Sequence, residues 1–411
     1  MTDTAPTVRR RPKDRKDQIV RAAAESFSSQ GYHTVGVEDI ATEVGISAPA
    51  LYRHYASKYD LFRVAVLALS QQLVDDTDIE PDPDAGPAGA LDQLIAALID
   101  VALRNRESGG LYRWQARYLR DDDATLLSDQ LRLVNQRLQL PMSELLPESP
   151  LLHHQILSAA VLSVAGGITD HRLRAPADDI KELLMQASWA LLNTPLPTPD
   201  TFTPGVRGDR IFTADAGVYE AVLHAAMTLF HRHGYPETSV AQIAKVAHLR
   251  ASGIYRYFPG KADILSTALR RSSDRLSAEL SVVNTNRSEP REALTQLVDI
   301  YVATSFANPE LASIYYSEQV HLCEIDRTLL RNVQRSTIDS WVGLLLAVRP
   351  DLSTMTARFL VHAAMGLVVD VGRLMHYDRT LEPTEDRSEP DQFGYARACV
   401  RTLMHAVLFG A

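Results

Sequence analysis

The stretch ALYRHYASKYDLF, residues 50–62, returns as GIYRYFPGKADIL, residues 253–265. Tyr52, Arg53, Lys58 and Asp60 reappear as Tyr255, Arg256, Lys261 and Asp263, each 203 positions on. Extended outward without a gap, the echo aligns residues 19–62 with 222–265, and 13 of 44 positions are identical. An ungapped repeat of this length means two copies of one structural unit. A period near 200 residues is that of a duplicated multi-domain protein, not a solenoid.

The 411 residues are too many for one ordinary domain, and 45% hydrophobic content is ample for real cores. The N-terminal RRRPKDRK lacks the apolar run of a signal peptide, and no stretch holds 18 uninterrupted apolar residues. The expectation is a cytoplasmic chain that does not enter a membrane. Cys323 and Cys399 both sit in apolar helical patterns and read as buried thiols.

Net charge is −9, unevenly spread. Residues 8–64 carry 10 Lys/Arg against 7 Asp/Glu, and residues 205–275 carry 10 against 6. The repeated segments are locally basic on an acidic body, as in a nucleic-acid reader with separate non-DNA domains.

Proline and glycine punctuate the chain. NTPLPTPDTFTPGVRGDR, residues 193–210, forbids a continuous helix and reads as an inter-domain linker. DDTDIEPDPDAGPAGA (75–90) is a second break, and the acidic TLEPTEDRSEPD (380–391) a third. Between them the periods are helical. Leu91, Leu94, Ile95, Leu98 and Val101 share one face, as do Leu294, Leu297, Val298 and Tyr301. No strict two-residue alternation argues for a sheet, so the fold class is all-α. The expected layout is a first DNA-binding-type domain at 1–74 and a helical domain at 88–194. A Pro-rich linker at 195–210 follows, then a second small domain at 211–280 and a second helical domain at 288–411.

Within each small domain three short helices are expected. In the first copy these are Asp14 to Gln30, ended by Gly31, then Val37 to Val44, then Ala48 to Tyr55. The last two have helix-turn-helix spacing, Gly36 to Tyr55 here and Ser239 to Phe258 in the second copy. Ser47 is a good N-cap, Pro49 fits a first turn, Ala41 allows a close crossing, Gly45 suits a left-handed turn, and Leu51 faces inward. The second copy has Ala244 and Ile254 in the matching places, but His248 in place of the turn glycine. A histidine accepts positive φ with strain, so an altered turn is expected there. Val35-Gly36 stands where Thr238-Ser239 opens the second copy's helix, so the first copy lacks a side-chain cap.

The pattern Phe-x-x-x-Gly-Tyr, Ile-Ala, then Leu/Ile-Tyr-Arg-x-Tyr/Phe-x-x-Lys-x-x-Leu/Ile resembles the N-terminal domain of TetR-family transcriptional regulators. It covers about 45 residues per copy. The order of basic arm, two such units and a Pro-rich joint is similar to the tandem repressors of mammalian-cell-entry lipid-import operons. The resemblance implies that the third helix enters the major groove of a double-stranded DNA operator. It puts Ser47, Ala48, Pro49 and Ala50 near bases, with Tyr52, Arg53, His54 and Lys58 on the backbone. In the second copy it puts Arg250, Ala251, Ser252 and Gly253 near bases, with Thr238, Tyr255, Arg256, Tyr257 and Lys261 as positioners. Arg250 is the strongest base-reading candidate. For Tyr52 and Tyr255 the alternative is a core aromatic. Arg9, Arg10, Arg11 and Lys13 form an arm suited to phosphate or the minor groove.

The resemblance also implies a small-molecule effector of apolar or acyl type in the helical domains, and a four-helix pairing surface. Tyr112, Trp114, Arg117 and Tyr118 are the first copy's pocket candidates; Tyr315, Tyr316 and His321 are the second's. At helical spacing such aromatics more often belong to a core. No cofactor, metal site or catalytic set is visible: His153-His154 and His231/His233 lack the carboxylate or cysteine spacing of a metal site. With both copies on one chain, the expectation is a monomer that imitates a dimer, with a homodimer as the alternative. A ligand-binding scaffold whose helix-turn-helix units no longer bind DNA is the competing function.

Overall fold

The computed structural model describes residues 12–80, 82, 84–203, 205–285, 289–377 and 393–410. The described residues are helical and contain no strand. The first half holds α1 (Pro12–Gln30), α2 (Val37–Val44), α3 (Ala48–Tyr52), α4 (Lys58–Asp76), α5 (Gly86–Arg104), α6 (Gly110–Trp114), α7 (Asp121–Leu145), α8 (Leu151–Gly166) and α9 (Ala177–Leu192). The second holds α10 (Val218–His233), α11 (Val240–Val246), α12 (Ala251–Ile254), α13 (Lys261–Thr285), α14 (Pro290–Ala307), α15 (Glu310–Glu318), α16 (Glu324–Val348), α17 (Thr354–Leu374) and α18 (Gly394–Phe409).

The repeat runs far beyond the legible echo. Helices α7 and α16 both have 25 residues and begin 203 positions apart, as do α8 and α17. The register breaks only before the last helix of each half. There the buried positions Ile180, Leu184, Ala187, Ser188, Leu191 and Leu192 of α9 match buried Ala396, Val400, Leu403, Met404, Val407 and Leu408 of α18 at an offset of 216.

The chain forms two compact units. One takes in α1 to α4, α6 and the start of α7; the other takes in α5 and everything from residue 134 on. In the first unit Ile19, Phe27, Ile40, Leu51, Leu61 and Phe62 make the core of a three-helix domain. Leu111, Leu119 and Leu127 complete it, so the segment after α5 seals this core. Ser70 of α4 donates to Gln130 of α7 at 2.6 Å in a buried contact.

In the second unit, Phe212, Val222, Phe230, Ile243, Ile254 and Ile264 build the matching core, closed by Ile314, Leu322 and Leu330. The same unit contains the pairing of the halves' last helices: α8 packs on α17 and α9 on α18. Helix α8 is apolar on nearly every side, the mark of a helix with no solvent face. Ser163 and Gly366 are equivalent at the offset of 203, and they meet: a Cβ on Gly366 would lie 3.5 Å from Ser163 Oγ. Beside them the His171 and His362 rings meet at a tilt with centroids 4.4 Å apart, and burial pushes His362 down to about 4. His153 Nε2 bonds the Tyr395 hydroxyl at 2.9 Å, tying α8 to α18.

Helices Gly86–Arg104, Leu151–Thr169 and Thr354–Leu374 are long and apolar enough to cross a membrane. The sequence test for uninterrupted apolar runs missed them. Of the most apolar 18-residue stretch of each, 44%, 67% and 61% is buried within the protein. One thiol expectation is corrected: Cys399 is buried, but Cys323 is exposed at the N-terminus of α16, where the chain turns before the apolar period begins.

The Pro-rich joint is held at both ends and is not a loose tether. Leu196 is buried, and Gly208 lies so close to α14 that a Cβ would stand 2.2 Å from the Ala303 carbonyl oxygen. Arg210 then clamps fully buried Glu310 through two bonds of 2.8 and 3.0 Å and donates to the Ala307 carbonyl. Asn308 grips the same segment through Ile211 N–H and the Asp209 carbonyl. Phe212 enters the core of the second three-helix domain. Gly208→Ala is therefore expected to cost about 1–3 kcal/mol through forced backbone displacement. A thermal-unfolding scan checks this, and an unchanged transition would show that the joint is not held against α14.

Candidate nucleic-acid interface

The two helix-turn-helix turns share one hydrogen-bond pattern. In the first copy Gly45 N–H donates to the Thr42 carbonyl and Ile46 N–H to that of Ala41, at 3.0 and 2.9 Å. In the second, His248 N–H donates to Lys245 and Leu249 N–H to Ala244, at 3.2 and 2.8 Å. Gly45 has φ of 73° and His248 φ of 56°. The expected strain at His248 is present, but the expected alteration of the turn is not. The two turn hydrogen bonds and the buried Ile243, Ala244 and Ile254 on either side of the turn accompany the left-handed histidine.

The helix starts differ as the sequence implied. Ser47 accepts from Ala50 N–H at the start of α3, with Pro49 in the first turn. Ser239 and Gln242 cap α11 reciprocally, at 3.2 and 2.7 Å. Helix α2 opens at Gly36 without a side-chain cap; Asp39 instead reaches back to Gly36 N–H at 2.9 Å. The third helices are shorter than expected: α3 stops at Tyr52, and Arg53 to Tyr55 form the turn that buries Tyr55.

The recognition faces are exposed. Tyr52, Tyr255 and Tyr257 are 46%, 58% and 45% accessible, which removes the core-aromatic alternative for Tyr52 and Tyr255. Arg53, His54, Pro49, Arg250, Ala251, Ser252 and Arg256 are exposed too, while Ala48, Ala50 and Gly253 are partly covered. Arg250 sits at the N-cap of α12 without a side-chain cap bond, and no ion pair holds its guanidinium among the described residues. Leu51 and Ile254, 1% accessible each, anchor the two helices from below. Lys245, on the last turn of α11, is exposed on the same motif and was missed. Its counterpart is Thr42, so the repeat gave no signal for it.

Three expected DNA contacts have internal partners. Lys261 donates to the Tyr235 and Thr238 carbonyls at 2.6 and 2.7 Å and lies 4.1 Å over the Tyr235 ring. Lys58 donates to the His33 carbonyl at 3.2 Å and lies 5.0 Å from the Tyr32 ring. Burial holds both ammonium pKa values below the usual lysine range. Each lysine opens the fourth helix of its domain and pins the loop before the second. Thr238 is buried, and its hydroxyl donates to the Gly234 carbonyl at 2.8 Å. The arm residues Arg9, Arg10 and Arg11 lie outside the described residues, as does the Lys13 side chain.

The pocket candidates pack inward. Tyr112 and Tyr118 lie against the first three-helix core, Trp114 is buried, and Arg117 flanks the Tyr118 ring. Tyr118 meets Tyr32 and His33 at 5.7 and 4.6 Å. In the second copy His321 stacks on Tyr235 at 4.7 Å, with its Nε2 3.5 Å from buried Glu318. Tyr315 bonds Gln334, meets Tyr316 edge-on, and is pushed up to about 12 by burial. No group of three or more metal-ligating side chains occurs among the described residues.

Comparison with known proteins follows the same division. The family model for bacterial regulatory proteins, tetR family, matches residues 19–65 and 222–268. The HTH-type transcriptional activator FasR of Mycolicibacterium smegmatis is 43% identical over 67 residues, 16% of this chain and 29% of FasR. Nucleoid occlusion factor SlmA of Vibrio cholerae is 23% identical over 188 residues, 44% of this chain but 94% of SlmA. A solved structure of a TetR-family transcriptional regulator from Bordetella parapertussis shares 24% identity, covering 47% of this chain and 96% of its own, with a TM-score of 0.37.

The internal bonds of Lys261 predict that Lys261→Met lowers thermal stability, since hydrogen bonds to a charged group contribute about 1.5–3 kcal/mol each. Loss of any DNA affinity should follow loss of loop order. A variant as stable as the parent would contradict the pinning role.

Proposed function

We propose that the chain, whose residues 19–65 and 222–268 each match the tetR family model, is a tandem regulator of that family that binds an operator as a single-chain pseudo-dimer and is released by a small effector. The observation that carries this reading is the pairing of α8 with α17 and α9 with α18 inside one polypeptide, with equivalent Ser163 and Gly366 in contact. Nucleoid occlusion factor SlmA is matched over 94% of its length by 44% of this chain, which fits a chain equal in length to two such proteins in tandem. The exposed Tyr52, Tyr255, Tyr257 and Arg250 supply what a groove-reading surface requires.

In this reading Arg250, Ala251, Ser252 and Gly253 meet base edges at one half-site, and Ser47, Ala48, Pro49 and Ala50 meet them at the other. Tyr52, Arg53, His54, Tyr255, Arg256 and Tyr257 hold phosphates. Lys58, Lys261 and Thr238 shape the loops that carry these groups. The arm of Arg9, Arg10, Arg11 and Lys13 adds phosphate or minor-groove contact in the first copy alone, because the matching segment of the second copy is docked through Arg210. The two leading segments differ, so the operator is asymmetric or imperfectly palindromic.

In this reading 1–74 and 211–280 read DNA, and 88–194 and 288–411 supply the pairing and effector-binding body, with residues 105–133 packed in one compact unit with the first DNA-reading segment. The effector is an apolar or acyl-type molecule, and repression is the expected sign of regulation. FasR is named an activator, so a promoter-reporter assay decides that sign. The competing scaffold reading has less support, because both recognition faces keep exposed tyrosine and arginine.

A mobility-shift assay with the chain's own upstream region tests the reading. Tyr52→Ala with Tyr255→Ala should weaken binding to every sequence. Arg250→Ala should relax preference at one base position by about 1–3 kcal/mol. Equal affinity for operator and random duplex at all salt concentrations would remove the claim.

A further inference from the structure

The two halves differ at one place where a side chain has been traded for space. In the first half, Trp189 of α9 donates its indole N–H to Asp92 of α5 at 2.6 Å, closing the gap between these helices. At the offsets of 203 and 216, Asp92 corresponds to Thr295 of α14 and Trp189 to His405 of α18. Imidazole is smaller than indole, and a hydroxyl is shorter than a carboxylate. The matching place is an open crevice of about 380 Å³ lined by Thr194, Arg291, Thr295, Thr402, His405 and Phe409. That volume falls in the ordinary range of small-molecule sites, about 300–1,000 Å³.

The chemistry of the place also changes sign. The first half has Ala88 and Asp92; the second has Arg291 and Thr295. Arg291 lies 4.3 Å over the Phe409 ring and has no ion pair among the described residues. His405 packs 5.3 Å from Phe409, and its Nε2 is buried without a hydrogen-bond partner. Helix α14 carries two carboxylates, Glu292 beside Arg291 in sequence and Asp299, which lies 3.5 Å from Arg401. A guanidinium, an unused ring nitrogen and threonine hydroxyls around an aromatic wall match an anionic head on a small apolar body.

We propose that this crevice binds a small organic anion, a carboxylate or a phosphomonoester, with Arg291 taking the charge, His405 hydrogen-bonding the head group and Phe409 covering the body. The proposal is confined to the second half, because Trp189 and Asp92 hydrogen-bond to one another at the counterpart positions. It deepens the effector part of the proposed function but stands without DNA.

The test is calorimetric titration of the full chain, free of DNA, with benzoate, phenyl phosphate and the neutral benzamide. One of the two anions should bind at one site per chain, and whichever binds identifies the head group. Benzamide should bind at least about tenfold more weakly, and Arg291→Ala should cost about tenfold or more, the loss of one charge-assisted contact. Thr295→Asp with His405→Trp rebuilds the plug of the first half and should abolish binding. Arg291 is exposed, so its replacement keeps the test valid even if the double variant does not fold. No anion binding up to about 10 mM, weaker than most useful ligand affinities, would overturn the proposal. So would binding that survives Arg291→Ala, or benzamide binding as tightly as the anion that binds.

Discussion

Helices α8 and α17 each carry apolar side chains around most of their circumference, and each finds its cover in the other. Leaving such surfaces in water would cost about 25 cal/mol for every Å² exposed. The remaining architecture follows from satisfying that constraint within one chain. Helices α9 and α18 pack alongside, α5 and α14 complete the flanks, and the joint between the halves is fixed by Gly208, Arg210 and Phe212. An ordinary regulator would meet the same constraint by recruiting a second copy of itself. Here, with the copies 203 residues apart, α8 and α9 of the first half pack on α17 and α18 of the second.

Internal pairing also removes the requirement that the halves be identical, and they have diverged at points with physical consequences. The turn glycine at Gly45 became His248, which keeps the left-handed geometry at a cost in strain. The segment before the first repeat is basic, whereas its counterpart has become a docked strap. At the far end of the body, Trp189 and Asp92 close what His405 and Thr295 leave open. Even the pairing axis is asymmetric: a serine faces a glycine, and two serines or two glycines would pack differently.

Much of this was legible because short-range chemistry dictates it. The three-helix domains followed from the repeat, Ser47, Gly45, Leu51 and the helical periods; the all-α class followed from the same periods. The exposure of Tyr52 and Tyr255 was left open, since a tyrosine after an inward-facing leucine can pack either way. The internal role of Lys58 and Lys261 was hidden, because their carbonyl partners lie 23 to 26 positions earlier in the chain. Proline and glycine in the joint signalled a break in helix but not its docking, which rests on the contact of Gly208 with Ala303 and on the pairing of Arg210 with Glu310. The crevice at Arg291 has no sequence signal, because the repeat offset changes from 203 to 216 before the last helix of each half and hides the correspondence of Trp189 with His405.

The claim on which the account depends is that the two halves satisfy one another. Sedimentation equilibrium of the free full-length chain measures it most directly. The account predicts one species of 45.5 kDa across a wide range of concentration. A dimer of twice that mass that persists on dilution would contradict it.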